Sequence, residues 1–122
     1  MARAYTVGTI ALALNVATKW LDNILSHHRV TGVVQERQGV SRKVTLEGLI
    51  QLALALKLID ELQMPASNAL NLAANLSETG SYLSPSGLTI SLDLVRFRSD
   101  LEIRLAQAVE MAPVPRRGRP PQ

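Results

Sequence analysis

The stretch Leu46 to Leu62, LEGLIQLALALKLIDEL, is apolar on nearly every face of a helix: Leu49, Ile50, Leu52, Ala53, Leu54, Leu56, Leu58 and Ile59 wrap right around it. A helix with no polar side cannot lie on a surface, so the rest of the chain must be arranged around this one. Glu47, Gln51, Lys57, Asp60 and Glu61 interrupt the run, which makes it a poor bilayer span and a good central post. Thr45 is placed to cap it, with Glu47 in the first turn where the helix dipole favours negative charge. Its surplus apolar surface is expected to contact a second subunit.

What packs on that post follows from composition. Hydrophobic residues make up 47% of the chain but aromatics only 3%, so the core must be built from Leu, Ile, Val and Ala, as in packed helices. At 122 residues one modest domain is expected, mainly α with a small β wing. Cysteine is absent, which removes disulfides, thiolate nucleophiles and thiolate metal sites. No signal peptide is expected, and a cytoplasmic location is the default.

Before the post, TVGTIALAL (6–14) sets Val7, Ile10, Ala11 and Leu14 at helical spacing behind a capping Thr6. Asn15-Val16 breaks the pattern. ATKWLDNILSHH (17–28) then forms an apolar stripe of Ala17, Trp20, Leu21, Ile24 and Leu25, with Lys19, Asp22, Asn23 and Ser26 pointing elsewhere. Two short helices so closely joined form a helix-turn-helix arrangement. Trp20 belongs to the stripe and is expected in the core.

Between these helices and the post lies SHHRVTGVVQERQGVSRKVTLEGL (26–49). Val30, Val33, Val34, Val40 and Val44 favour extended backbone, and Gln38-Gly39 supplies a hairpin tip. Arg37, Arg42 and Lys43 crowd that tip. Burying it would strand several charges, so the hairpin should stand in solvent as a wing until something anionic meets it.

After the post, Pro65 fits the first turn of a helix over roughly Ala66 to Leu76, with Ala69, Leu70, Ala73 and Leu76 inward. SETGSYLSPSG (77–87) is turn-forming and marks a boundary. Beyond it LTISLDL (88–94) alternates as a half-buried strand, and Ser99 with Glu102 forms a capping box for a helix through Met111. A competing reading starts the helix near Asp93, because Leu94, Phe97, Leu101, Leu105 and Ala108 are spaced like a coiled-coil seam. An isolated strand needs a partner, and a twin copy or the wing would supply one. Leu88, Ile90, Leu92, Leu94, Phe97, Leu101 and Leu105 are therefore the expected dimerisation residues. APVPRRGRPPQ (112–122) is expected to be a disordered basic tail. The expected domains are a winged helix-turn-helix over 1–76, a strand-helix extension over 77–111 and that tail.

Charge is asymmetric. Residues 1–45 carry six Lys or Arg against two acids, residues 46–76 carry one against three, and the remainder six against five. A positive front fits a polyanion footprint.

The segments YTVGTIALALNVATKWLDNIL and RQGVSRKVTLEGLIQLALALKLIDEL resemble the helix-turn-helix and the wing with its following helix in the MerR-like winged helix-turn-helix DNA-binding superfamily. The resemblance covers about 70 residues, Tyr5 to Leu76, and leaves the last 46 unexplained. Those residues depart from the family, lacking its ligand- or metal-binding segment and a clear long dimerising helix. The resemblance implies a dimeric transcriptional regulator on double-stranded DNA, its second helix in the major groove and its wing on phosphates or the minor groove. The residues expected to contact DNA are Thr18, Lys19, Asn23, His27, Arg29, Gln35, Arg37, Gln38, Arg42 and Lys43. Asn23 has the amide that an adenine edge needs, and Lys19 could reach guanine or phosphate.

Other chemistry finds little footing. His27 and His28 are about 100° apart on a helix and cannot share a metal as an i, i+4 pair could. No phosphate-cradling glycine loop, nucleophile elbow or carboxylate pair with a basic partner is present, so neither an enzyme nor a cofactor is expected. The rival class is a protein-interaction module, such as an antitoxin or phage-type anti-factor, gripping a partner protein through the carboxyl-terminal strand and helix. RNA binding is weaker, because stacking aromatics are scarce.

Overall fold

The computed structural model describes residues 3–35 and 41–111. Strand β1 (Ala4–Thr6) leads directly into helix α1 (Val7–Leu14), and Thr6 serves both, because its Oγ1 accepts the Thr9 N–H at 3.2 Å. Asn15 ends α1 in the left-handed conformation at φ 59°, while its N–H and that of Val16 return to the Leu12 and Ala11 carbonyls at 3.1 and 3.0 Å. The chain has then turned, and α2 (Thr18–His27) begins after Ala17.

Strands β2 (Val33–Val34) and β3 (Lys43–Thr45) pair antiparallel, as the valine pattern suggests, and β1 pairs with the other side of β3. The sheet order is β1-β3-β2. The expected tip Gln38-Gly39, with Arg37 and Val40, lies outside the described residues. So does the expected tail over 112–122. Strand β1 was not anticipated, since three residues give no period to read.

Helix α3 (Leu46–Leu62) has the predicted bounds, with Thr45 Oγ1 accepting the Gly48 N–H at its start and a left-handed Gln63 at its end. Helix α4 (Ala66–Thr79) has Pro65 at its cap rather than inside its first turn. It runs past the expected end at Leu76 to stop at Gly80, φ 80°.

The carboxyl-terminal part corrects several expectations. The stretch expected only to turn contains strand β4 (Ser81–Leu83), which pairs antiparallel with β5 (Thr89–Ser91). The partner of β5 is thus its own neighbour, neither the wing nor a twin copy. The expected strand over 88–94 shrinks to β5. Helix α5 (Leu94–Met111) starts at once, capped by Asp93 Oδ1, which accepts the Arg96 N–H at 3.1 Å. Ser99 and Glu102 are interior helical residues, so they cap nothing. The competing helical reading is the one the structure adopts, and it gives an 18-residue helix where no clear long helix was expected.

Its seam, however, faces inward. Leu101 is 1% exposed and Leu105 6%, both in the same core as Ile10 of α1, Leu21 of α2, Val44 of β3 and Leu49, Ile50 and Leu52 of α3. These two leucines are therefore spent within the chain and are removed from the expected dimer contacts. Leu94, Phe97, Ile90 and Leu92 pack partly on that core, while Leu88 stands 70% exposed. The surplus surface of α3 is likewise covered from within, by α4 and α5, except at Leu62. Residues 77–111 complete one core with residues 3–76. No helix among the described residues is long and apolar enough to cross a membrane.

Candidate nucleic-acid interface

Helix α2 is two-sided because its apolar residues fall at i, i+3 and i+4. Leu21, Ile24 and Leu25 are buried, whereas Thr18, Lys19, Asp22, Asn23, Ser26 and His27 are all exposed. Ten residues at 1.5 Å each make this polar ridge about 15 Å long. Its carboxyl end is tied down by side chains bonding to the preceding turn. Ser26 Oγ donates to the Asp22 carbonyl at 2.8 Å, and His27 Nδ1 donates to the Asn23 carbonyl at 2.9 Å. That bond leaves Nε2 as the free face of the His27 ring. Ala17 offers no side-chain cap and the first turn holds no acid, so the positive end of the helix dipole is not neutralised there. Trp20 is half-buried against the core, as expected, and its remaining edge borders a depression shared with Lys19, Asp22 and Asn23.

The three-stranded sheet offers a second polar surface. The register places Thr6, Lys43 and Val34 across from one another, and Tyr5, Val44 and Val33 likewise. Alternation makes these the two faces: the first set is exposed, the second is half-buried or buried. Lys43 therefore stands at the centre of the solvent face. Arg42 precedes it, half-exposed, and Gln35 is exposed at the end of β2. A depression of about 420 Å³ at the carboxyl end of α2 is lined by Leu25, Ser26, His27, His28, Arg29, Val30 and Val33.

The root of the hairpin is fixed tightly. Gly32 has φ 85°, and a Cβ there would strike Thr45 Oγ1 and come within 2.6 Å of the Gly48 nitrogen. Gly48 is equally confined, since a Cβ on it would lie 2.8 Å from Val44 Cγ1 and 3.0 Å from the Thr31 carbonyl oxygen. Gln51 reaches the same root from inside α3, its Oε1 accepting the Thr31 N–H at 3.0 Å.

Of the expected contact residues, His27 and Arg29 line the depression at the carboxyl end of α2, Lys19 and Asn23 line the one beside Trp20, Thr18 is exposed at the start of α2, and Gln35, Arg42 and Lys43 lie on or beside the hairpin. Arg37 and Gln38 lie outside the described residues. Among the described residues the ion pairs are Lys57–Glu61 and Arg98–Glu47, both elsewhere; Lys19, Arg29, Arg42 and Lys43 join none. Sequence reasoning did not bring Arg3 to the three-stranded sheet. Arg3 precedes the Ala4–Thr45 pair with its guanidinium 4.8 Å from the Tyr5 ring centre, and His28 lines the depression at the end of α2. Arg3 has no local sequence signal; only the pairing of β1 with β3 brings it beside the sheet. No group of three His, Asp or Glu among the described residues could hold a metal ion.

No protein-family model, curated protein or solved structure matches this chain.

Proposed function

We propose that this chain is a double-stranded DNA-binding transcriptional regulator of winged helix-turn-helix type, of the MerR-like kind its sequence resembles, acting as a dimer. The observation that carries the reading is a pair of polar surfaces, the exposed ridge of α2 and a hairpin face centred on Lys43, with cations that pair with no acid among the described residues. A ridge of this length fits a major groove about 12 Å wide. Arg29 and His28, in the depression at the carboxyl end of α2, meet the sugar-phosphate strand bordering that groove. Asn23 and Lys19 then face base edges, while Arg42 and Lys43 hold phosphates or the neighbouring minor groove. The test is binding to a mixed pool of duplexes followed by sequencing of the retained fraction. Enrichment of a defined motif supports sequence-specific recognition; recovery of the input distribution at every salt concentration contradicts it.

A second reading has its own observation. Leu83 and Leu88 flank the turn of the β4–β5 hairpin at 69% and 70% exposure, and Val95 at the start of α5 is 82% exposed. The same part of the chain also contributes to a groove of about 330 Å³ lined by Leu54, Lys57, Leu58, Glu61, Leu62, Leu76, Ile90, Ser91, Leu92 and Phe97. We propose this side as the dimer contact, or as the grip on a partner protein if the chain is an interaction module such as an antitoxin. Replacing Leu83 and Leu88 with Ser discriminates: a shift to monomer in sedimentation supports the dimer, and an unchanged association state removes these leucines from it.

A further inference from the structure

Gln51 is the most deeply buried polar side chain among the described residues, 3% exposed in a helix whose other inward residues are apolar. Its carboxamide bonds to two different segments. Oε1 accepts the Thr31 N–H at 3.0 Å, and Nε2 donates to the Leu70 carbonyl of α4 at 3.1 Å. Thr31 directly precedes Gly32, whose carbonyl takes both the N–H and the Oγ1–H of Thr45 at 2.9 and 3.0 Å. The Thr45 bonds close the hairpin on itself. The Gln51 bonds tie it to the helical body, and they demand a donor and an acceptor in one rigid planar group, which glutamine supplies.

We propose that Gln51 is the positioning residue of the DNA-contacting hairpin: a strut through α3 that sets the hairpin root against α4 and so holds Arg42 and Lys43 in register with the ridge of α2. This inference rests on the DNA-binding reading, but part of its test does not. Gln51→Met keeps length and apolar volume while leaving the Thr31 N–H and the Leu70 carbonyl without their partner, so the root must shift to find water. Lys43 moves with the root. Lys19, on a helix to which Gln51 makes no hydrogen bond, stays where it was.

The experiment is a pair of double-mutant cycles with hydrogen exchange on the same purified chains. Affinity for a fixed duplex is measured for wild type, Q51M, K43A, K19A and both doubles. Lys43→Ala is expected to cost about fivefold in the wild-type background and almost nothing in the Q51M background, whereas Lys19→Ala costs the same in both. Equal effects of Lys43→Ala in the two backgrounds overturn the proposal. Without DNA, Q51M is expected to speed exchange of the Thr31 and Thr45 amides while the α2 amides keep their protection; uniform loss, or no change at the hairpin, overturns it. If wild type binds no duplex, the DNA-binding reading fails and the exchange data still judge the strut. Should Q51M not fold, Gln51→Glu replaces it: a protonated carboxyl can both donate and accept, so hairpin protection relative to wild type rises as pH falls. A ratio independent of pH overturns the proposal.

Discussion

Thr45 holds Gly32 twice, through its backbone N–H and its hydroxyl, both donating to the one Gly32 carbonyl at 2.9 and 3.0 Å. The same hydroxyl oxygen accepts the Gly48 N–H that opens α3, so a single threonine closes the hairpin and caps the central helix. Gly32→Ala strikes at both. The substitution puts a Cβ on a residue with φ 85° and against Thr45 Oγ1, and left-handed strain alone costs about 1 to 2 kcal/mol. A loss of about 2 kcal/mol or more in urea unfolding is expected; an unchanged midpoint would show that the root is looser than described.

The same denaturation assay separates the two ends of the former dimer seam. Leu101 is 1% exposed in the shared core, so Leu101→Ala should cost about 2 to 5 kcal/mol. Leu88 is 70% exposed, and Leu88→Ser should stay within about 0.5 kcal/mol. Comparable effects at the two positions would mean that α5 does not complete the core.

Arg98 of α5 meets Glu47 at the start of α3, Nη2 to Oε2 2.9 Å, with both side chains roughly half exposed. Such a pair contributes about 1 kcal/mol at most, and less as salt rises. Arg98→Ala should therefore shift the thermal midpoint slightly at low salt and not at all at high salt. A large, salt-independent shift would show that Arg98 acts through packing.

Asn23 and Lys43 should fail in different ways. Asn23→Ala is expected to relax preference at one base pair by about 1 to 3 kcal/mol while leaving the salt dependence intact. Lys43→Ala should weaken all duplexes alike and lower the salt slope by about 1. Competition binding with single-base variants of the selected motif reads both; the opposite assignment would place Lys43 on bases and Asn23 on the backbone.

Much of this was legible in the sequence wherever periodicity and caps agreed. Thr6, Asn15, Thr45 and the apolar run to Leu62 fixed α1, the turn and α3 almost to the residue. The two faces of α2 followed from Leu21, Ile24 and Leu25. What escaped depended on distant pairing. Strand β1 exists because β3 offers it an edge, and β4 because β5 does; three-residue strands show no alternation of their own. The end of α4 was set by Gly80 rather than by the last apolar residue. In 88–98 the alternating leucines and the helical seam competed, and the seam won because Leu101 and Leu105 had a core to enter. Gln51 stood in view as one polar residue in an apolar helix, but its partners, 20 and 19 residues away, are brought to it only by the fold.

The most direct measurement is the affinity of the intact chain for its selected duplex across a series of salt concentrations. If each protomer neutralises roughly five phosphates through the helix ridge and the hairpin, the logarithm of the binding constant falls with a slope of about −4 to −5 per protomer. That slope is expected for the wild type, reduced by about one unit each in K19A and K43A. A flat salt dependence, or no detectable binding at low salt, would contradict it.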